Sequence, residues 1–170
     1  MSDELITLAH GSGGRKMQAL IDVVFRPAFG EGDIGDNDSA LRVVTTVKLA
    51  FTTVSFFVEP LVFPGGNIGS LAVNGTVNDL LTRGARPRWL SCGFIIEEGL
   101  PFSALRNIVT TLAKEAERAG TRVVTGDTKV VQRCAADGLF INTAGVGEIL
   151  CDPVPHATRL APAQALLPTG

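Results

Sequence analysis

The stretch Arg88 to Glu97 sets the terms for the whole chain. Its centre, Cys92-Gly93-Phe94-Ile95-Ile96, is apolar at successive positions, so an extended strand here needs cover on both faces and belongs in the middle of a sheet. Just downstream, Leu105, Ile108, Val109, Leu112, Ala113 and Ala116 recur at 3, 4, 7 and 8 residues, the spacing of one helix face. Ser103 stands where its N-cap belongs and Gly120 where it should stop. A mid-sheet strand and an amphipathic helix must bury their apolar surfaces on each other.

The flanking segments extend this pattern. Met17, Leu20, Ile21 and Val24 predict a helix over 16–25, ended by Pro27 and Gly30. The segments 39–46 and 48–58, rich in Val, Thr and Phe, read as two strands with a tight link between them. Past Pro60, Pro64, Gly65 and Gly66, the positions Ile68, Leu71, Ala72, Leu80 and Leu81 predict a helix over 67–82, closed by Gly84 and Pro87. The segments 121–125 and 139–149 are the last strands, separated by a polar turn containing Asp137-Gly138. After the first helix the order is β-β-α-β-α-β-β. That order predicts an α+β domain, a mainly antiparallel four-stranded sheet with helices on one face. Residues 1–150 are expected to form it. From Cys151 the composition turns to Pro, Ala and Leu without periodicity, so 151–170 is expected to be a linker or the truncated start of a C-terminal domain.

Composition removes several functions. The formal charge is −2, there is no long basic tract, and with no Tyr and one Trp a base-stacking platform is thin; nucleic acid is a poor partner. Cys92, Cys134 and Cys151 are odd in number and lack CxxC spacing, which argues against zinc and disulfides and fits a reducing cytoplasm. The opening MSDELITLAHGSGG shows no signal peptide. The most apolar stretch, 49–63, is broken by Thr52, Thr53, Ser55, Glu59 and Pro60, and is too short and polar to span a bilayer.

Against this apolar background stand polar islands: His10-Gly11-Ser12-Gly13-Gly14 beside Arg15 and Lys16, Asn37-Asp38-Ser39, Asn78-Asp79 and Thr125-Gly126-Asp127-Thr128-Lys129. Burying an aspartate costs several kcal/mol unless it is paired or metal-bound, so acids at the ends of apolar segments suggest a cation with a polyanionic ligand, most simply Mg-nucleotide. The glycine-rich stretch could present backbone N–H groups to phosphate, or be a flexible arm; it is neither a Walker A loop nor a dinucleotide fingerprint. Asp79 is expected to face inward among Ala72, Val77 and Leu80, with a solvated helix position as the alternative. Asp127 follows the strand 122–125, with an ordinary turn as the alternative; Asp38 precedes a strand, with a plain strand start as the alternative. Glu97-Glu98 is read as structural, Cys92 as packing, and His156 as incidental. No hydrolase nucleophile motif surrounds Ser12.

Taken together, AHGSGG, FPGGNIGSLAVNGTVNDLLTRGA, LSCGFIIEEGLP, TGDTKVVQR and FINTAGVGEI, in that order from about Leu8 to Ile149, closely resemble the N-terminal half of the HypE family of hydrogenase maturation factors. That family sits in the superfamily of aminoimidazole ribonucleotide synthetase and selenophosphate synthetase. The resemblance implies ATP-dependent carbamoyl dehydration. A carbamoyl group received on a C-terminal cysteine from HypF becomes a thiocyanate, and the cyanide passes through the HypC–HypD complex to iron in [NiFe]-hydrogenase. It also implies a homodimer whose paired sheets close a barrel. By position, Asp38, Asp79 and Asp127 look like the acidic Mg-ATP set and Asp79 the first catalytic residue; Asn78 and Lys129 flank it, and His10 to Gly14 form the loop over the phosphates.

Three departures qualify the resemblance. Family members usually read TTDS where this chain has Thr53-Val54-Ser55, and Val54 cannot ligate a metal. Ala163-Gln164 stands where Gly-Asp is usual before LLxTG, with Pro168 interrupting the strand. The C-terminal domain and its substrate-carrying cysteine are not in this sequence, so the chain alone is expected to make no thiocyanate. A non-catalytic dimerisation or interaction module is the alternative reading.

Overall fold

The computed structural model describes residues 5–12, 14–29 and 46–150. The amino-terminal part is a 3-10 turn (Leu8–Gly11), helix α1 (Arg15–Leu20), a π-helical turn (Ile21–Phe25) and α2 (Arg26–Phe29). Then follow β1 (Leu49–Phe56), a short ribbon of β2 (Val62–Phe63) and β3 (Gly66–Asn67), α3 (Ile68–Thr82), β4 (Ala85–Glu97), α4 (Phe102–Arg118), β5 (Arg122–Val131) and β6 (Leu139–Ile149). The four long strands form one sheet in the order β1-β6-β4-β5. As the apolar run predicts, β4 is internal.

Mainly antiparallel is therefore only partly right. β6 runs antiparallel to β1 and β4, but β4 and β5 are parallel. The cause is α4: a helix joining neighbouring strands carries the chain back to the same end of the sheet, which enforces parallel pairing. The mixed α+β sheet has its helices on one face. Leu90, Cys92, Phe94 and Ile96 of β4, with Leu139 and Ile141 of β6, meet Ala72, Val73 and Val77 of α3 and Leu105, Ile108 and Leu112 of α4.

Several expected boundaries shift. The predicted strand 39–46, apart from Thr46, and Asp38, Gly13 and the tail 151–170 lie outside the described residues. The first helix runs on through Pro27 to Phe29 rather than ending there. α4 starts at Phe102 with Pro101, not Ser103, at the cap; Pro fixes the φ of −63° that an extended entry needs. Gly120, at φ 66°, supplies the left-handed stop. At α3 the cap is Asn67, whose Oδ1 accepts from the Gly69 and Ser70 N–H groups at 2.9 and 3.2 Å. Its Nδ2 donates to Thr111 of α4 at 2.9 Å, tying the helix pair together.

β5 is longer than expected, reaching Val131. The TGDTK motif is inside a strand, so alternate residues of it face opposite ways.

Candidate functional site

Registers fix where the predicted residues point. On β5, Gly126, Thr128 and Val130 pair with Cys92, Phe94 and Ile96, while Asp127 pairs with Gly93 and Lys129 with Ile95. Cys92, Phe94 and Ile96 face the helices, so Asp127 and Lys129 project from the bare face of the sheet, two residues apart and about 7 Å from each other. Both are exposed, and Asp127 Oδ1 accepts its neighbour Thr128 N–H at 2.8 Å.

Asp79 lies elsewhere. It is exposed on α3, not inward among Ala72, Val77 and Leu80. The reason is phase: Ala72, Val73, Thr76, Val77 and Leu80 already fill the buried stripe, and the next position around the helix turns toward the sheet edge. There Thr52 of β1 donates its hydroxyl to Asp79 Oδ2 at 3.1 Å. Thr52, half-buried, and Val54 share that face of β1, since alternate residues of the strand are the more covered ones. Asn78 is exposed beside Asp79.

Asp79 and Asp127 therefore do not converge within one chain. Asp79 sits at the β1 edge on the helix-bearing side; Asp127 is on the β5 edge and the opposite face. Three strand spacings, about 14 Å, separate the edges. Among the described residues no three His, Cys, Asp or Glu side chains come together as a metal site. The Asp79 carboxylate nevertheless suits a magnesium carried in by phosphates, an ion that takes one or two protein carboxylates and fills its remaining positions with ligand oxygens and water.

The glycine-rich segment is no loose arm. Its 3-10 turn packs against β5, so closely that a Cβ on Gly11 would lie 2.6 Å from the Val130 backbone nitrogen. His10 is buried, against expectation for an open phosphate contact. Its Nδ1 accepts from Thr7 N–H at 3.0 Å and its ring meets Phe102 edge-on, centroids 5.3 Å apart. Ser12 Oγ donates to Ala9 O at 3.0 Å. His10 and Ser12 thus brace the turn, while Gly14, with nothing within 4 Å of a Cβ built on it, leads into α1 at the exposed Arg15 and Lys16.

The remaining polar residues are structural. Glu97 accepts from the Cys134 and Gly138 N–H groups at 2.7 and 2.8 Å, closing the 132–138 turn. Those two bonds, Cys134 first, hold its carboxyl below the ordinary 4.5. Cys92 is buried, and burial pushes its thiol up to about 12, consistent with packing. Sequence reasoning missed Thr52; the only signal was its place in the Thr52-Thr53-Val54-Ser55 island on an otherwise apolar strand.

The bare face of the sheet carries exposed apolar side chains: Leu49, Phe51, Ile95 and Phe57 are exposed at 41%, 70%, 44% and 46%, and the Phe57 ring packs tilted against Phe140. Among the described residues no helix is long and apolar enough to cross a membrane.

A four-stranded mixed sheet with two helices on one side, a braced glycine turn at one edge and an acid at the other defines a class. Residues 35–149 match the family model of the AIR synthase related protein, N-terminal domain, and the chain belongs to that family. Within it, the chain is 50% identical over 171 residues to the carbamoyl dehydratase HypE of Escherichia coli, a match covering 97% of this chain and 51% of that protein. The chain spans about half the length of the curated relatives it matches. A crystal structure of the hydrogenase maturation protein HypE in complex with ATP superposes with a TM-score of 0.87 and 51% identity, over 92% of this chain and 47% of the other. The structure of a HypE–HypF complex matches with a TM-score of 0.60 and 46% identity, over 78% of this chain and 43% of the other.

Proposed function

We propose that this chain is the ATP-binding, dimer-forming half of a HypE-type carbamoyl dehydratase. The observation that carries the reading is the match to the HypE–ATP complex, at half-identity and over nearly the whole chain. In that chemistry ATP phosphorylates the thiocarboxamide oxygen, which leaves as phosphate while nitrogen gives up its protons and S–C≡N remains. The substrate cysteine, HypF and the HypC–HypD complex would be engaged by the longer protein.

The positions of this chain's own residues support the following roles. Asp79, oriented by Thr52, would hold magnesium; Asn78 would flank the nucleotide. The turn through Gly14, with Arg15 and Lys16, would lie along the phosphates. Asp127 and Lys129 would act from the β5 edge. Because Asp79 and Asp127 occupy opposite faces and edges of one sheet, a single ligand can meet both only across two copies. A two-fold axis parallel to the strands sets bare face on bare face and brings the β1 edge of one copy to the β5 edge of the other. Such pairing also covers Phe51 and Ile95 and removes open sheet edges.

Val54 favours a second reading, a dimerising module without turnover. Val54→Asp would add a carboxylate to the same β1 face as Thr52. Titration of Mg-ATP by calorimetry separates the two. Binding by the native chain, lost in Asp79→Asn, supports the nucleotide domain; heat only after Val54→Asp supports the module.

A further inference from the structure

Between the amino-terminal helical segment and α4 lies a cavity of about 650 Å³. Its volume falls in the range of small-molecule sites, about 300–1,000 Å³. None of Asp79, Asp127 or Lys129 lines it. One wall is apolar, formed by Val24, Ala28 and Phe29. The other carries Arg106, Lys114 and Arg122 against a single acid, Glu117. Among the described residues none of the three cations has a salt-bridge or hydrogen-bond partner. Thr121 closes one end; it is 4% exposed and its Oγ1 is buried without a hydrogen-bond partner among the described residues.

We propose that this cavity binds an organic anion with a flat apolar body. The ring lies along Val24, Ala28 and Phe29, and the acid group faces Arg106, Lys114 and Arg122. No residue is shared with the nucleotide reading, so either can fail alone.

The test is an amide NMR titration of the full chain with indole-3-acetate, with the neutral indole-3-acetamide alongside. Saturable shifts are expected at Val23, Phe29, Thr121 and Val123, with a Kd of about 1 mM or tighter, as a ligand of this size allows. The amide should bind about tenfold more weakly, as should the acid to Lys114→Glu. Three outcomes would overturn the proposal: no saturation, equal affinity for acid and amide, or shifts confined to the Phe51–Ile95 face.

Discussion

Cys134 and Glu97 decide the shape of one turn between them. Cys134 holds φ 66°, a left-handed conformation that costs a side-chain-bearing residue about 1–2 kcal/mol. Replacing it with glycine relieves that strain but adds about 0.5–1 kcal/mol of backbone entropy lost on folding. Cys134→Gly is therefore expected to stabilise by roughly 0.5 kcal/mol in urea unfolding. Glu97 holds the same turn electrostatically, and its folded pKa lies below the ordinary 4.5. A depressed carboxylate contributes stability that is fully present above its unfolded pKa and is lost as pH falls through the folded value. Amide-exchange protection at Cys134 and Gly138 should thus hold above pH 4.5 and fade in acid. In Glu97→Gln protection should be weak at every pH.

Elements show where close approach matters. A Cβ at Gly69 would lie 2.4 Å from the Ile108 carbonyl of α4, whereas one at Gly75 would meet the Phe56 ring at 2.8 Å. Both alanine variants gain about 1 kcal/mol of helix propensity. Backbone cannot step aside and a ring can, so Gly69→Ala should lower the urea midpoint by the equivalent of about 1–3 kcal/mol while Gly75→Ala stays close to neutral. The same elements show what was legible in advance. The strand Arg88–Glu97 and the helix face Leu105–Ala116 were readable because each carries one clear period. Parallel pairing of β4 and β5 was not, since period identifies an element and not its neighbour. The face of Asp79 was misjudged for a related reason. α3 carries a single charged residue, Asp79, so its sequence lacks the polar stripe that would have shown which side is out. Asp127 is expected just past a strand end, with an ordinary Gly-Asp turn as the alternative; here Gly126 is within the strand, where a Cβ would lie 2.3 Å from the Cys92 carbonyl.

The whole molecule presents an apolar face that its own helices do not reach. Phe51, 70% exposed on the β1 edge, should pack against the β5 edge of the other copy in a sheet-on-sheet interface, and Phe51→Asp is expected to yield a monomer in light scattering where the native chain is a dimer. Loss of the dimer should remove Mg-ATP binding with it, because Asp79 and Asp127 face different ways in one copy. Complementation tests that claim most directly. Asp79→Asn and Asp127→Asn chains, each weakened for Mg-ATP alone, are mixed, unfolded and refolded together, and titrated by calorimetry. Sites built from both copies leave each mixed dimer with one pocket carrying both native acids, so tight binding returns at one nucleotide per mixed dimer. Mixtures that bind no better than either variant alone would contradict the account.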